Sequence, residues 1–444
     1  MTTSGWQRAW RRLAIGALLR ASGSAVPGYL REFAAVEKMN LAGVDDDQHR
    51  RLTMLLRHCY EHVPYYQRIL EEAAIDLRRQ VTITDLKRLP LLTKDIIRRE
   101  GKAMLADDRA QRKPFENSSG GSTGVPLVFV QDQAYFDQSV ITAKLTYNRY
   151  FGKSAGDPEI KLWGSERDIL RGRLSMRERI QNYIYNRTFQ NAFLLDQQKL
   201  AQFVVEINRR KPVSIWVYVE SIDLLARYIR DNNLSVHKPR FILSTAGTLY
   251  PEIRETAQQV FGCPVYNQYG SREVGAIAFE MRDQNGMRGL PYLNYVELVD
   301  SKIVITNLTN YSMPLLRYEI GDTAEAWEGP QDLAFGCEKK IFKTVTGRIS
   351  SHFKTAAGGM IHGEYFVHLF YFLDWVGQFQ IIQNSLNEIS CRVVATHEPN
   401  AKDIDSVRNG IYQVMGPTCE VSFEFVDTLT PGASGKHMYT ICNI

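Results

Sequence analysis

Apolar positions fall three and four residues apart along the N-terminal part of the chain. Leu52, Leu55, Leu56 and Cys59 trace one helical face, His62-Val63-Pro64-Tyr65-Tyr66 interrupts it, and Ile69 and Leu70 resume it. That spacing predicts a mostly helical segment as far as Lys113. Leu89-Pro90-Leu91-Leu92 reads as extended chain, with Thr93 capping a further helix from Lys94. The pattern then changes character. Asn117 to Thr123 holds little apolar material, whereas Val125 to Val130 is β-branched and aromatic, so a polar loop is expected to feed a strand. Gln133 to Tyr150 returns to helical spacing, and an apolar strand follows through Leu162 and Trp163.

The middle of the chain alternates. A helix carrying Leu200, Phe203, Val204 and Ile207, capped by Asp196, precedes a strand at 214–219. A helix at 221–230 precedes a strand at 241–244, and a helix at 251–260 precedes a strand at 265–269. That order predicts a doubly wound α/β sheet. Ligands of such sheets lie beyond the carboxyl ends of the strands. The loops Thr245-Ala246-Gly247-Thr248 and Tyr269-Gly270-Ser271-Arg272-Glu273 are therefore expected to face one cleft. Alternation from Tyr292 to Tyr318, clearest at Lys302–Thr306, predicts a β subdomain that ends at Arg317-Tyr318-Glu319-Ile320-Gly321-Asp322, an acid held by a glycine turn. Beyond Gly347-Arg348, strands around 378–383, 388–395 and 420–426 and a helix at 403–415 predict a small α+β domain. The expected fold class is α/β, with an N-terminal core over 1–346 and a C-terminal domain over 347–444.

Composition narrows the function classes. The 54 basic and 49 acidic residues leave a net charge of +5 with no polybasic tail, so nucleic acid is not an expected partner. Cysteines at 59, 263, 337, 391, 419 and 442 include no C-x-x-C pair and predict neither a disulfide framework nor a closed zinc site. They fit a reducing cytoplasm. Arg8, Arg11 and Arg12 ahead of Leu13–Leu19 resemble a secretion signal, but Arg20 closes that short run, and an amphipathic helix is the expectation. No stretch reaches the ~18 apolar residues that span a bilayer.

The candidate chemistry centres on Ser118-Ser119-Gly120-Gly121-Ser122-Thr123-Gly124. Glycine lets backbone N–H groups converge on an oxyanion and the hydroxyls add short donors, so a phosphate is the natural guest. On composition alone, such a stretch is more often a plain turn. Two sharper motifs fail. Gly120-Gly121-Ser122-Thr123-Gly124 spells a hydrolase nucleophile elbow, but polar residues precede it and Pro126 and a strand follow, where an elbow needs a strand before and a helix after. Gly152-Lys153-Ser154 ends like a Walker loop, yet Tyr147 stands at its first glycine. Taken singly, Glu273, Asp322 and Lys436 read as solvated charges, and Tyr135, Phe136, Trp163, Trp216 and Tyr218 as core.

The ordered set is more specific than any member. His62-Val63-Pro64-Tyr65-Tyr66, Leu89-Pro90-Leu91-Leu92-Thr93-Lys94, the Ser/Gly loop, Tyr269-Gly270-Ser271-Arg272-Glu273, Arg317 to Asp322, Gly347-Arg348 and Gly435-Lys436 together resemble the adenylate-forming superfamily of acyl-CoA synthetases, adenylation domains and luciferases. Within it, the chain is similar to the phenylacetate-CoA ligase family and its CapK branch. The resemblance implies an ATP- and Mg²⁺-dependent enzyme that joins a carboxylic acid to AMP and passes the acyl group to a nucleophile, with the CoA thiol as the expected acceptor. An amide-forming ligase with an amine acceptor, or a non-catalytic nucleotide-binding relative, are the alternatives. Whether the chain forms a homodimer stays open.

Residue roles follow from the same resemblance. It implies that Ser118, Ser119, Gly120, Gly121, Ser122, Thr123 and Gly124 hold the β- and γ-phosphates, with Thr123 among the catalytic groups. It makes Glu273 the Mg²⁺ ligand, Tyr269 the residue that stacks on adenine, Asp322 the one that takes the ribose hydroxyls beside Arg348, and Lys436 the bridge between carboxylate and phosphate. Gly247, Thr248, Asn267, Gly270 and Ser271 complete the expected nucleotide contacts; Tyr135, Trp216, Tyr218, Thr245 and Ala246 are the expected acyl pocket. The C-terminal domain is expected to act as a mobile lid that pivots after Arg348, where Ser351 replaces the usual acid or lysine. Some relatives hold a structural zinc; here Met281 and Arg288 stand at ligand positions, leaving Cys337, and no bound zinc is expected.

Overall fold

The computed structural model describes residues 5–119, 127–163, 176–191, 194–195, 197–331, 339–346, 352–356, 358–370, 373, 375–429 and 439–444. The N-terminal part is helical, as its periodicity predicts, with helices at Gly5–Ala21, Val26–Val36, Leu41–His62 and Pro64–Glu72. Val63 is extended and Pro64 opens the next helix, because proline cannot continue a helix but suits its first turn. Thr93 caps the helix Lys94–Glu100 by accepting from the Ile96 amide at 3.3 Å.

The first two strands, β1 (Phe115–Ser119) and β2 (Leu127–Gln131), form an antiparallel hairpin. The expectation of a loop feeding one strand is corrected here. Polar Asn117, Ser118 and Ser119 pair with Phe129, Val128 and Leu127, so the partner strand imposes extended backbone on residues whose own preference is a turn. A strand therefore does precede the Ser/Gly loop; since another strand follows it, the elbow order still fails. Gln133–Tyr150 is helical throughout, but Phe136–Thr142 is a π-helical segment that periodicity did not reveal.

The remaining core strands are β3 (Glu159–Trp163), β4 (Arg187–Asn191), a short β5 (Leu194–Leu195), β6 (Ser214–Tyr218), β7 (Phe241–Thr245), β8 (Val265–Ser271), β9 (Gly275–Glu280), β10 (Met287–Gly289), β11 (Asn294–Val299), β12 (Lys302–Asn307), β13 (Tyr318–Ala326) and β14 (Lys340–Thr346). All except β5 join β11-β12-β13-β14-β10-β9-β8-β7-β6-β3-β4 in one eleven-stranded sheet. Strands β4-β3-β6-β7-β8 are parallel; β8 and β9 then pair antiparallel and carry the sheet into the β subdomain. Residues 317–322 do not form a turn. They run into β13, with Gly321 at φ +94° taking the irregularity that an L-residue would resist.

Side-chain alternation assigns the two faces of the parallel sheet. Ile160, Ile215, Val217, Ile242 and Val265 pack under helices Gln197–Arg210, Val219–Asp231 and Pro251–Phe261. The opposite face carries Trp216, Phe241, Leu243 and Tyr266 against the helix ending at Tyr150. The chain leaves β3 for β4 on one side and later places β6 on the other, so the strand order reverses between β3 and β6. That reversal opens a crevice at the carboxyl ends of both strands.

Strands β15 (His352–Lys354) and β16 (Met360–His362) pair with each other, and β16 also pairs with β5 of the core. Four further strands, β17 (Val376–Ser385), β18 (Glu388–Ala395), β19 (Glu420–Phe425) and β20 (Thr440–Cys442), build a sheet in the order β19-β18-β17-β20, beside helix Ala401–Met415. This is the expected α+β unit with β20 added. Among the described residues no helix is long and apolar enough to cross a membrane.

Candidate functional site

The end of β8 and the hairpin β1–β2 meet at Glu273. Its side chain is almost fully buried, which is costly for a carboxylate unless it is paired. The Lys94 ammonium, equally buried, lies 3.9 Å from Oε1, and the Tyr318 hydroxyl donates to the same oxygen at 3.3 Å. The backbone around Glu273 is stitched to the hairpin. Gln131 Nε2 donates to the carbonyls of Arg272 and Glu273 at 2.7 and 3.1 Å, and its Oε1 accepts from Asn117 Nδ2 at 3.1 Å. Arg272 Nη1 donates to the Ser118 carbonyl at 3.4 Å. The base of the Ser/Gly loop is thereby fixed beside the Glu273 carboxylate.

Neighbouring groups tighten the same corner. Tyr135 donates from its hydroxyl to the Arg272 carbonyl at 3.3 Å, and burial together with the Glu273 charge raises its pKa above that of free tyrosine. Gly275 has φ +74°, and a Cβ there would stand 2.8 Å from Ser139 Cβ. A Cβ at Gly270 would meet the Gly275 carbonyl at 2.7 Å. Both glycines are therefore required by the turn that presents Glu273. Ser118 Oγ is buried and accepts or donates no hydrogen bond among the described residues.

Across the cleft, Tyr269 donates to Asp322 Oδ2 at 2.8 Å. The structure thus brings together an aromatic from β8 and a carboxylate from β13. The loop after β7 lies at the carboxyl edge with Ala246 at φ +62°, and Gly247 packs so closely on Glu220 that a Cβ would stand 2.4 Å from Oε1. Asn267 is tied by its amide to Glu280 at 2.8 Å. Among the acyl-pocket candidates, Trp216 and Tyr218 are buried on β6. Trp216 lies under the Lys144 ammonium at 4.4 Å, and Tyr218 packs with Trp163 at 4.6 Å between ring centres. Thr245 is buried and Ala246 exposed.

The expected Gly120, Gly121, Ser122, Thr123, Gly124, Arg348 and Lys436 lie outside the described residues, as do Asp196, Cys337, Ser351 and the Ser119 side chain. Sequence reasoning missed Gln131 and assigned no role to Lys94 or Tyr318. Lys94 and Tyr318 do stand inside stretches that carried the resemblance; Gln131 had no signal beyond closing a strand. Arg288, which the sequence resemblance set at a zinc-ligand position, is buried within 3.6 Å of Asp283, which Lys340 also approaches at 3.1 Å.

A magnesium ion held by one carboxylate and completed by phosphate oxygens and water suits this donor set. Glu273 is a buried acid whose backbone is tied to the base of the Ser/Gly loop.

Known proteins agree with this architecture. Residues 353–443 match the CapK C-terminal domain. Protein CapK of Staphylococcus aureus is 24% identical over 413 residues, 89% of each chain. A phenylacetate-coenzyme A ligase of Thermus thermophilus is 33% identical over 81 residues, 18% of each chain. The crystal structure of 2-hydroxyisobutyryl-CoA ligase, in an open conformation with 2-HIB-AMP and CoA, superimposes with a TM-score of 0.57 at 17% identity, covering 91% of this chain and 93% of that one. The chain thus carries a C-terminal segment that matches the CapK C-terminal domain, is similar to CapK along most of its length, and shares its fold with 2-hydroxyisobutyryl-CoA ligase.

Proposed function

We propose that the protein is an ATP- and Mg²⁺-dependent ligase that activates a carboxylic acid as an acyl-adenylate and passes the acyl group to a nucleophile, the CoA thiol first among candidates. In the first half-reaction a carboxylate oxygen bonds to the α-phosphorus and the bond to pyrophosphate breaks. In the second, the acceptor attacks the acyl carbonyl and AMP leaves. Both steps move negative charge, so fixed countercharge is the main demand on the protein.

The observation that carries this reading is the buried Glu273 carboxylate, tied through Gln131 and Arg272 to the base of the Ser/Gly loop. Glu273 would hold the Mg²⁺, which, when bound, supplies charge neutralisation for the phosphates. Lys94 and Tyr318 fix the carboxylate's position, and Ser118 offers an uncommitted hydroxyl at the loop. Tyr269 and Asp322 are suited to the adenosine end, an aromatic face beside a carboxylate that takes hydroxyl protons. Lys436 is assigned to the reacting carboxylate by the sequence resemblance. The buried, free thiols of Cys59, Cys263, Cys391 and Cys419 fit a reducing compartment where ATP and CoA are supplied.

An amine acceptor, which the sequence resemblance to the CapK branch implies, is the second reading. The test is pyrophosphate release from ATP with a panel of aryl, fatty, amino and sugar acids, with CoA or an amine added separately. Acid-dependent release that collapses in Lys436→Ala supports adenylation, and whichever acceptor is consumed identifies the transfer. ATP binding without release for any acid would favour the non-catalytic alternative.

A further inference from the structure

The strand-order reversal between β3 and β6 places an unusual set of cations on one sheet face. Register pairs Glu159 with Arg187 and Ser214, and Lys161 with Phe189 and Trp216, so these side chains share the face beneath the crevice. Glu159, almost fully buried, receives Lys144 at 2.6 Å, Lys153 at 2.7 Å and Arg187 at 3.0 Å. One carboxylate therefore answers three cations, and Lys161 adds a fourth. The Lys161 ammonium sits 3.9 Å over the Trp163 ring, and no carboxylate lies within 4 Å of it among the described residues. Trp216, its register neighbour, has a buried indole N–H with no acceptor among the described residues. Residues 164–175, which follow β3, carry three arginines against Glu166 and Asp168, so their composition adds no net negative charge.

A buried surplus of positive charge is expensive unless an anion completes it. Lys161 and Trp163 are only half-buried, and Trp163 ends β3 at the carboxyl edge where the crevice opens. We propose that the acid substrate carries a second anionic group, remote from the carboxylate that is activated, and that Lys161 and the Trp216 N–H receive it. Lys144, Lys153 and Arg187 keep the local potential positive without touching the substrate. This deepens the ligase reading and rests on it for the identity of the cleft. Carboxylate and phosphate share the required chemistry.

Matched acids separate the cases: hexanoate against adipate, benzoate against terephthalate, and glycolate against phosphoglycolate. Pyrophosphate release is compared in wild type, Lys161→Met and Lys161→Arg. The expected result is at least tenfold higher kcat/KM for the dianion of a pair, near parity in Lys161→Met without loss of activity on the monoanion, and partial recovery in Lys161→Arg. Adipate or terephthalate outperforming phosphoglycolate would name a carboxylate, and the reverse a phosphate. Thermal-shift titration with the same acids does not need turnover, so it distinguishes a failed ligase reading from a failed anion site. If no dianion stabilises wild type more than Lys161→Met, the proposal is wrong.

A separate observation concerns the N-terminal surface. Helix Gly5–Ala21 buries Ile15 and Leu19 but turns Trp6, Trp10 and Leu13 outward at i, i+4 and i+7, with Trp6 78% and Leu13 76% exposed. Helix Met176–Ile184 beside it shows Met176 67%, Ile180 52% and Tyr183 66% exposed, again at i, i+4 and i+7. Arg11 clamps the two helices, 5.5 Å from the Trp10 ring and 4.9 Å from that of Tyr183. The first helix holds four arginines and no acidic residue. Adjacent apolar stripes with tryptophan, and a first helix whose charged residues are all basic, match an anionic lipid surface.

We infer that this helix pair docks the protein on anionic membranes. Co-sedimentation with vesicles of phosphatidylcholine, with or without a quarter of phosphatidylglycerol, tests it. Binding is expected only with the anionic lipid, weakened in 0.5 M salt, and reduced more than tenfold in Trp6→Ser/Leu13→Glu of unchanged circular dichroism. No binding to the anionic vesicles overturns the inference. A dimer in sedimentation velocity that the same variant abolishes would assign the stripes to a second copy instead.

Discussion

Glu273 and Lys94 form a pair whose members fail differently when separated. The two side chains are buried 3.9 Å apart, so neutralising either leaves the other as an uncompensated charge. Glu273→Gln is expected to lower adenylation by about 10²–10³-fold, the range for removing a focused electrostatic contact, and also to lower Tm. Lys94→Met should lower Tm comparably, and raising Mg²⁺ should restore less of its lost activity than in Glu273→Gln, where the metal ligand itself is removed. A Glu273→Gln enzyme of wild-type activity would remove this carboxylate from the site. Tyr269→Phe deletes only the hydroxyl that reaches Asp322. It should raise the KM for ATP severalfold, consistent with about 1 kcal/mol for one hydrogen bond, with little change in the KM for the acid. At this scale the sequence showed which charged types were present but not which were buried together. Glu273 and Asp322 were recognisable within motifs, whereas Gln131 became visible only once β2 fixed its side chain toward residues 272 and 273.

Individual elements explain where local pattern failed and tertiary context prevailed. Phe115–Ser119 has turn-like composition yet forms β1, because register with Leu127–Gln131 supplies its hydrogen bonds. The alternating strands β6, β7 and β8 were legible, since β6 and β7 lie between strongly amphipathic helices and β8 follows one. The turn between β8 and β9 permits a direct test. Gly275→Ala adds a methyl 2.8 Å from Ser139 Cβ in a left-handed conformation, and is expected to cost about 1–3 kcal/mol, measurable by chemical denaturation. The face of β3 gives a pH test. Burial, with Arg187 nearby, lowers the Lys161 pKa to about 8, while Glu159 opposes the shift; Lys144 and Lys153 are the other cations on that face. Because the folded value lies below 10.5, the unfolded chain binds more protons between about 8 and 10.5. The Lys161 contribution therefore makes the protein more stable as pH rises through that window. Binding of a second anion requires the protonated form, so its affinity should fall by up to about tenfold per pH unit above 8. Wild type and Lys161→Met compared from neutral to alkaline pH separate the effects: the stability difference and the loss of dianion preference should share one window.

The whole molecule joins parts that the sequence presented as separate. The parallel sheet and the β subdomain are one continuous ladder through β8 and β9, an arrangement that linear pattern cannot reveal because it depends on which strand edges meet. The C-terminal part is likewise not attached by the chain alone. Met360 and Ile361 of β16 pair with Leu195 and Leu194 of the core, and Tyr218 from β6 is buried in the same cluster as Phe353, Ile361 and Tyr365. A lid that rotates between two half-reactions must either break this β5–β16 contact or move with it. Antiparallel register partners have Cα atoms about 4.5–5.5 Å apart, within reach of a disulfide. A Leu195→Cys/Met360→Cys variant should therefore crosslink on mild oxidation, with native Cys59, Cys263, Cys391 and Cys419 shielded by burial. If the lid must leave this arrangement, the oxidised protein retains at most one half-reaction: pyrophosphate release or acyl transfer persists, overall turnover falls at least tenfold, and reduction restores it. If oxidised and reduced forms complete both half-reactions equally, residues 352–362 remain fixed to the core throughout the cycle, and any moving body must begin farther along the chain than Arg348.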